Sequence, residues 1–471
     1  MAHAETRAGA QTATGAQTLA CPESLAPVEP LACGDAKSPG ACGSVVDAAA
    51  GASPTPSPAL RREPAPPVAG RPTLAEVFRR YGAAYLEKCG DRVPAAQRKV
   101  MHAIEHCRDG AFGYAVYRCD GCGARHHVPR SCGNRHCPTC QQHKADQWLG
   151  RELGRLLPCE YFLVTFTVRQ ELRGLVRSHP AVAYGLMFQA ATAALSELAA
   201  DPRHIGAVRL GMLAVLHTWG GALNYHPHLH FVVPAGGLAG DGTWRGSRPG
   251  FFLPERALGV LFRNKLRDLL KQAGLGDVID RAVWKKTWVA DVQSAGDGRN
   301  ALRYLARYVF RVAISNSRIV SCDNGRVTFR YKKSGRVGGS LGGPDSAGGA
   351  SGSRWGTMTL EADEFIGRFL DHVLPRGFQK VRHYGFWSAA SRVSIDEVRR
   401  RVEEFTFQLT LTATALAAAP ALPRPVSCPR CGSPMRLECL VLASGRRLVP
   451  RRLVRRSTLG KRRAGSALDT T

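Results

Sequence analysis

Cys119-Asp-Gly-Cys122 and Cys137-Pro-Thr-Cys140 are two Cys-x-x-Cys pairs separated by 14 residues. That spacing constrains the fold more than any other feature of the chain. Two knuckles so placed can close four thiolates around one tetrahedral Zn²⁺. Four thiolates leave the metal no open position, so such a site is structural. Gly121, Gly123 and Pro138 suit the tight turns that a knuckle needs. Cys107, Cys132 and His136 are candidates for additional zinc ligands, and His143 stands nearby. Arg118, Arg125, Arg130 and Arg135 are interleaved with the cysteines and are expected to contact DNA. A further pair, Cys428-Pro-Arg-Cys431, has only Cys439 downstream. One knuckle cannot close a tetrahedral site, so no zinc ion is expected at the C-terminal end.

Charge bears on the partner. Sixty-five Lys and Arg against 37 Asp and Glu give +28 over 471 residues. A chain so basic meets a polyanion, and nucleic acid is the default. The N-terminus lacks a basic stretch followed by an apolar one, and no run reaches the ~18 apolar residues of a membrane span. The expectation is a cytoplasmic protein with no membrane partner. In that compartment 15 cysteines point to metal rather than disulfides.

Residues 1–71 are an Ala/Pro-rich extension expected to be disordered. Residues 72–150 read as a helical, zinc-binding and DNA-binding domain, and 155–390 as the main domain. Within the latter, 334–354 is a flexible Gly/Ser loop. Residues 391–471 hold a helical segment, the partial knuckle and a basic tail.

The stretch Asn224-Tyr-His-Pro-His-Leu-His-Phe-Val-Val-Pro234 carries three histidines at alternate positions. On a strand, His226, His228 and His230 share one face, and Leu229, Phe231 and Val233 face a core. The pattern predicts a sheet with helices on one face and an open polar face on the other. Imidazoles two residues apart can bind one divalent ion and leave positions for a substrate oxygen. In Ala301-Leu-Arg-Tyr-Leu-Ala-Arg-Tyr308, Tyr304 and Tyr308 lie on one helix face, with Arg311 continuing it. Arg303 and Arg307 form a neighbouring stripe. A phenol is a plausible nucleophile towards a phosphodiester that a cation polarises.

Taken together these residues resemble the HUH endonucleases, with His228-Leu229-His230 as the motif and Tyr304-x-x-x-Tyr308 as the pair of the two-tyrosine subclass. The chain is more closely similar to transposases of the insertion sequence 91 family. That resemblance rests on CGNRHCPTC, YFLVTFTV, TWGGALNYHPHLHFVVPAGGL, ALRYLARYVFRVAISNSRI and HYGFW, spread over residues 72–390. It implies an α+β fold: a ferredoxin-like HUH core with an antiparallel sheet, preceded by a small zinc-binding domain. It makes His228 and His230 ligands of catalytic Mg²⁺ or Mn²⁺, with Gln293 the candidate third ligand. Tyr304 and Tyr308 become nucleophiles, and Arg311 a stabiliser of phosphate charge. The implied activity is nicking and joining of single-stranded or hairpin DNA through a 5′-phosphotyrosine in rolling-circle transposition. No P-loop motif occurs, so no nucleotide cofactor is expected and a host helicase is the implied partner. The alternatives are a rolling-circle replication initiator or relaxase, and a non-catalytic zinc-dependent DNA-binding regulator.

Overall fold

The structure is a computed structural model that describes residues 71–310, 313–332, 355–407 and 426–449. The N-terminal extension, the Gly/Ser loop, the basic tail and Arg311 lie outside the described residues. The chain divides into two compact units. Of the described residues, the first contains 71–105, 133–310, 313–332 and 355–407. The second contains His106–Cys132 and residues 426–449. The boundary cuts between the two knuckle pairs, because strand pairing draws residues 114–119 to a partner strand beyond residue 430.

The first unit is built on a five-stranded antiparallel sheet. Its strands are β1 (Tyr161–Thr167), β2 (Gly211–Trp219), β3 (Tyr225–Pro234), β4 (Ala290–Ser294) and β5 (Val381–Gly385), in the order β5-β2-β3-β1-β4. β-Branched and aromatic residues dominate the central strands, as a pleated, packed surface requires. Phe162, Val164, Phe166, Leu229, Phe231 and Val233 point to one side, where helices Pro180–Ala200 and Glu255–Gln272 cover them. Each such side chain contributes about 1.5–3 kcal/mol by leaving water.

The opposite face is not open, contrary to the expectation from alternation. Leu163, Leu213, Val215 and Val232 pack there against Trp148, Leu302, Leu305, Val398 and Val402. These come from helices Gln142–Gly154, Arg299–Val309 and Ile395–Phe407. All nine residues of β2 are buried, His217 included. A strand with both faces covered reads as a continuous apolar run, which hides its orientation from sequence.

β2 and β3 form a hairpin turned by Gly220 and Gly221, with His217 opposite His228. The register shifts between His217 and Trp219, opposite His226 and Pro227. Proline has no N–H to give to the ladder, so the irregularity sits where pairing is weakest. A separate three-stranded sheet, Ile319–Asp323, Arg326–Lys332 and Trp355–Glu361, packs with helices Leu74–Cys89 and Ala362–Leu370. Thr359 meets Thr328 across the ladder at 2.9 Å.

The second unit has one four-stranded antiparallel sheet, with Arg447–Leu448, Met435–Val441, Tyr114–Cys119 and Arg125–Pro129 side by side. Its hydrophobic cluster consists of Cys119, Cys428 and Met435, with Tyr117 and Ala124 at its margin. No helix among the described residues is long and apolar enough to cross a membrane.

Candidate functional site

In an antiparallel pair, residues directly opposite share a face. His217 faces His228, and Val215 faces His230. Three imidazoles therefore meet on the sheet face that carries the tyrosine helix. One nitrogen from each of His217, His228 and His230 lies within 4.8 Å of the others. His217 and His230 are buried, and His228 is half-buried.

Second-sphere bonds set which nitrogens are available. Nδ1 of His228 donates to the His226 carbonyl at 2.7 Å, since a carbonyl can only accept. Its Nε2 lone pair is thus left for a cation. Nδ1 of His230 is engaged with Thr165 Oγ1 at 2.9 Å. Nε2 of His217 and Nε2 of His230 are buried with no hydrogen-bond partner among the described residues. Buried polar atoms are almost always satisfied, so two orphans converging on one point call for a ligand. Burial pushes all three histidines below the ordinary imidazole range, His228 to about 4. They are neutral, as metal ligands must be. The donor set fits a divalent cation that imidazole accepts, including Mn²⁺.

His226 is not part of this group; its Nδ1 accepts from Arg173 at 2.6 Å. Nor is Gln293. It shares the histidine face, but β1 intervenes, and it lies opposite Leu163 rather than Thr165. Two strand spacings, roughly 9–10 Å, separate its strand from β3. Its amide donates to Asp291 at 2.9 Å. The third imidazole, His217, interrupts an all-buried strand, where one histidine carries no periodic signal.

Tyr304 and Tyr308 lie on helix Arg299–Val309, whose Ala301, Leu302, Leu305 and Ala306 face the sheet. The tyrosines occupy the flank of that apolar stripe, and Arg303 and Arg307 are exposed beside them. The Tyr308 ring lies 4.4 Å from the His217 ring, and the Tyr304 ring 5.9 Å from the His230 ring. The two phenol rings are 4.8 Å apart. Burial, with the neighbouring Tyr308, raises the Tyr304 phenol above its ordinary value. Lys380 holds the end of the helix: its Nζ donates to the Tyr308 carbonyl at 2.6 Å and lies 4.5 Å from the Trp219 ring centre. Burial, and then Arg135, push the Lys380 ammonium down to about 7.

His136 is not a free ligand. Its Nε2 accepts from the Leu374 N–H at 3.1 Å, its Nδ1 meets Asn134 Oδ1 at 3.1 Å, and burial lowers it to about 3. Arg135 is tied to the carbonyls of Phe378 and Pro375 at 2.5 and 2.7 Å, so it braces the fold rather than offering itself to DNA. His383 of the HYGFW stretch bonds Glu152 at 3.1 Å, and Trp387 stacks on Tyr161. That motif is packing.

In the second unit, Cys119 and Cys122 meet Cys428 and Cys431, not Cys137 and Cys140, which belong to the first unit. Sulfur–sulfur distances are 3.5 Å for Cys119–Cys431, 3.8 Å for Cys122–Cys428 and 3.6 Å for Cys122–Cys431. Cys107 and Cys132 lie in this unit but outside the group, and Cys439 pairs opposite Val116 in the sheet. Arg118 is exposed. Arg125 forms a two-pronged pair with Glu438 at 2.7 and 2.8 Å, and Arg130 reaches the Phe112 carbonyl at 3.3 Å.

The chain is similar to known transposases. Residues 77–168 match a family described as "Transposase zinc-binding domain", and residues 211–394 match one described as "Putative transposase". The chain is 42% identical to "Putative transposase y4qJ" of Sinorhizobium fredii over 335 residues, covering 67% of this chain and 80% of that protein. It is 26% identical to "Transposase for insertion sequence element IS801" of Pseudomonas savastanoi pv. phaseolicola over 303 residues, 59% of this chain and 67% of that one. No solved structure matches.

Proposed function

Since this chain belongs to the IS91 family of transposases, enzymes that cut and join DNA, we propose that it does so through a covalent 5′-phosphotyrosine formed on Tyr304 or Tyr308. The single observation that carries this reading is the approach of both phenol rings to the imidazole group, at 4.4 and 5.9 Å between rings. The core would then be a ferredoxin-like HUH fold, working in rolling-circle transposition on single-stranded or hairpin ends.

His217, His228 and His230 would hold Mg²⁺ or Mn²⁺. Bound there, the ion supplies Lewis-acid polarisation of a non-bridging phosphate oxygen. The chain's own residues do the rest. A phenol oxygen attacks phosphorus in line, the bond to the 3′ oxygen breaks, and that oxygen leaves as a hydroxyl after taking up a proton. The phenol proton goes to water. Joining runs the step backwards from another 3′-OH, so the phosphodiester bond energy is kept and no nucleotide is consumed. The raised Tyr304 phenol is protonated at neutral pH, so attack waits on a correctly seated phosphate. Lys380 fixes the C-terminal turn of the helix on which Tyr308 rides. Exposed Arg303 and Arg307 fit phosphate contacts along the incoming strand. A second tyrosine lets the enzyme retain one 5′ end while cutting another. Strand displacement falls to a host helicase.

The test is a nicking assay on single-stranded oligonucleotides carrying the element's ends, with Mg²⁺ or Mn²⁺. Wild type should give a denaturation-resistant protein–DNA adduct, and the Tyr304→Phe/Tyr308→Phe double variant none. Undiminished adduct in the double variant would remove the tyrosines from the mechanism. A DNA-binding protein with no adduct in wild type would be a regulator instead.

A further inference from the structure

We propose that Cys119, Cys122, Cys428 and Cys431 bind one zinc ion, so that a segment outside both matched family regions completes a zinc-binding fold begun some 300 residues earlier in the chain. Cys428 and Cys431 lie beyond residue 394, where the second match ends. Nothing in the matched zinc-binding region, residues 77–168, supplies these two donors.

Three independent observations converge. The first is metric. A tetrahedral zinc with Zn–S of about 2.3 Å sets its sulfurs about 3.8 Å apart. The three sulfur–sulfur distances run from 3.5 to 3.8 Å. They are too long for any disulfide, whose bond is about 2.05 Å. Cys122 is close to both Cys428 and Cys431, the arrangement of a shared centre rather than of isolated pairs.

The second is that the two knuckles repeat one backbone design. Gly123 follows Cys122 and Gly432 follows Cys431, with φ of 72° and 73°. Only glycine takes that left-handed region without cost. Gly123 N–H donates to the Cys119 carbonyl at 3.0 Å, and Gly432 N–H to the Cys428 carbonyl at 2.8 Å. Cys119 N–H donates to the Ala124 carbonyl at 2.9 Å, and Cys428 N–H to the Ser433 carbonyl at 2.8 Å. The same four-residue turn is thus built twice, and both copies aim their sulfurs at one point.

The third is the smallness of the core among the described residues. Its buried apolar side chains are two of the four cysteines, Met435, Val116 and Cys439. Without the knuckles, that leaves Met435, Val116 and Cys439 to hold a four-stranded sheet together. Units that small need a metal or a cross-link. Pairing of Tyr114–Cys119 with Met435–Val441 brings the knuckles together at one end of the sheet, with Cys119 opposite Met435.

Zinc content of the full-length protein tests this. Cys428→Ser/Cys431→Ser should lose one zinc per chain relative to wild type. Cys119→Ser/Cys122→Ser should lose one as well. The fourfold variant should lose that same single ion and not two. Wild-type zinc content in Cys428→Ser/Cys431→Ser would overturn the site, and a loss of two in the fourfold variant would overturn the sharing. Should the serine variants precipitate, Co²⁺ substitution of Cys431→His provides the second measurement. Replacing one thiolate by imidazole should weaken the sulfur-to-cobalt charge-transfer band and move the d–d bands to higher energy. A spectrum identical to wild type would likewise overturn the site. None of these readouts depends on DNA cleavage, so they stand apart from the tyrosine mechanism.

Discussion

The imidazole group of the first unit and the thiolate group of the second are both clusters of metal donors, yet they stand in opposite relations to the fold. The imidazoles sit on a sheet already covered on both faces by apolar side chains and helices. That sheet holds its donors in place whether or not a cation is there. Among the described residues, two of the thiolates share a small core with Met435, Val116 and Cys439. There the metal would do what leucines and phenylalanines do elsewhere. The lesson is that a donor cluster is catalytic or structural according to what else holds its ligands.

The contrast is broken or sharpened first by chelation. Stripping zinc should unfold residues 114–129 and 435–448, because a structural zinc supplies on the order of 10 kcal/mol to its fold. Amide protection there should fall by about a thousandfold or more, while β1, β2 and β3 keep theirs. Equal loss in both units would erase the distinction. A smaller effect comes from the ligand set of the first unit. His217→Ala should lower nicking by roughly a hundredfold with the melting temperature little changed, as removal of a metal-site group does. Gln293→Ala should stay within about twofold. The reverse ranking would return the third-ligand role to Gln293.

A third effect is on stability against pH. His136, His228 and His372 are held by burial at about 3, 4 and 4, below the ordinary imidazole value of about 6.5. A histidine with a depressed folded value is neutral when folded and takes up a proton on unfolding. Its contribution is complete above pH 6.5 and is lost as pH falls towards the folded value. The metal-free first unit should therefore weaken below pH 6.5, by at most about 1.4 kcal/mol per pH unit for each histidine. Thermal melts from pH 7.5 to 4.5 would show it; a flat profile would mean that these rings are accessible to protons.

The His-x-His strand and the Tyr-x-x-x-Tyr helix were legible because each carries its own periodicity: alternation for a strand, four-residue spacing for a helix. Both landed on the face they predict, and the geometry brought them together. His217 was not legible. It sits alone in Gly-Met-Leu-Ala-Val-Leu-His-Thr-Trp, a run buried on both sides, where no alternation marks the side it faces. The cysteines read differently. Spacing pairs Cys119-x-x-Cys122 with the nearest pair along the chain, Cys137-x-x-Cys140, while the fold brings it to Cys428-x-x-Cys431. One sequence signal sets these two knuckles apart: Cys122 and Cys431 are each followed by glycine, whereas Cys140 is followed by Gln141. Arg135 and His136 look like a basic, metal-ready pair in sequence, and only their carbonyl and N–H partners reveal them as braces.

Sequence by itself determined the kinds of chemistry available here: thiolate knuckles, alternating imidazoles, paired phenols and a surplus of positive charge. These are local properties, set by spacing within one strand, helix or turn. Which donors share a centre was decided only in three dimensions. Strand register put His217 opposite His228, and pairing of Tyr114–Cys119 with Met435–Val441 put Cys428 and Cys431 beside Cys119 and Cys122. The physical reason is that a metal site requires convergence within a few ångströms, whereas spacing along the chain limits convergence only over short loops. Beyond those, backbone hydrogen bonding and packing choose the partner.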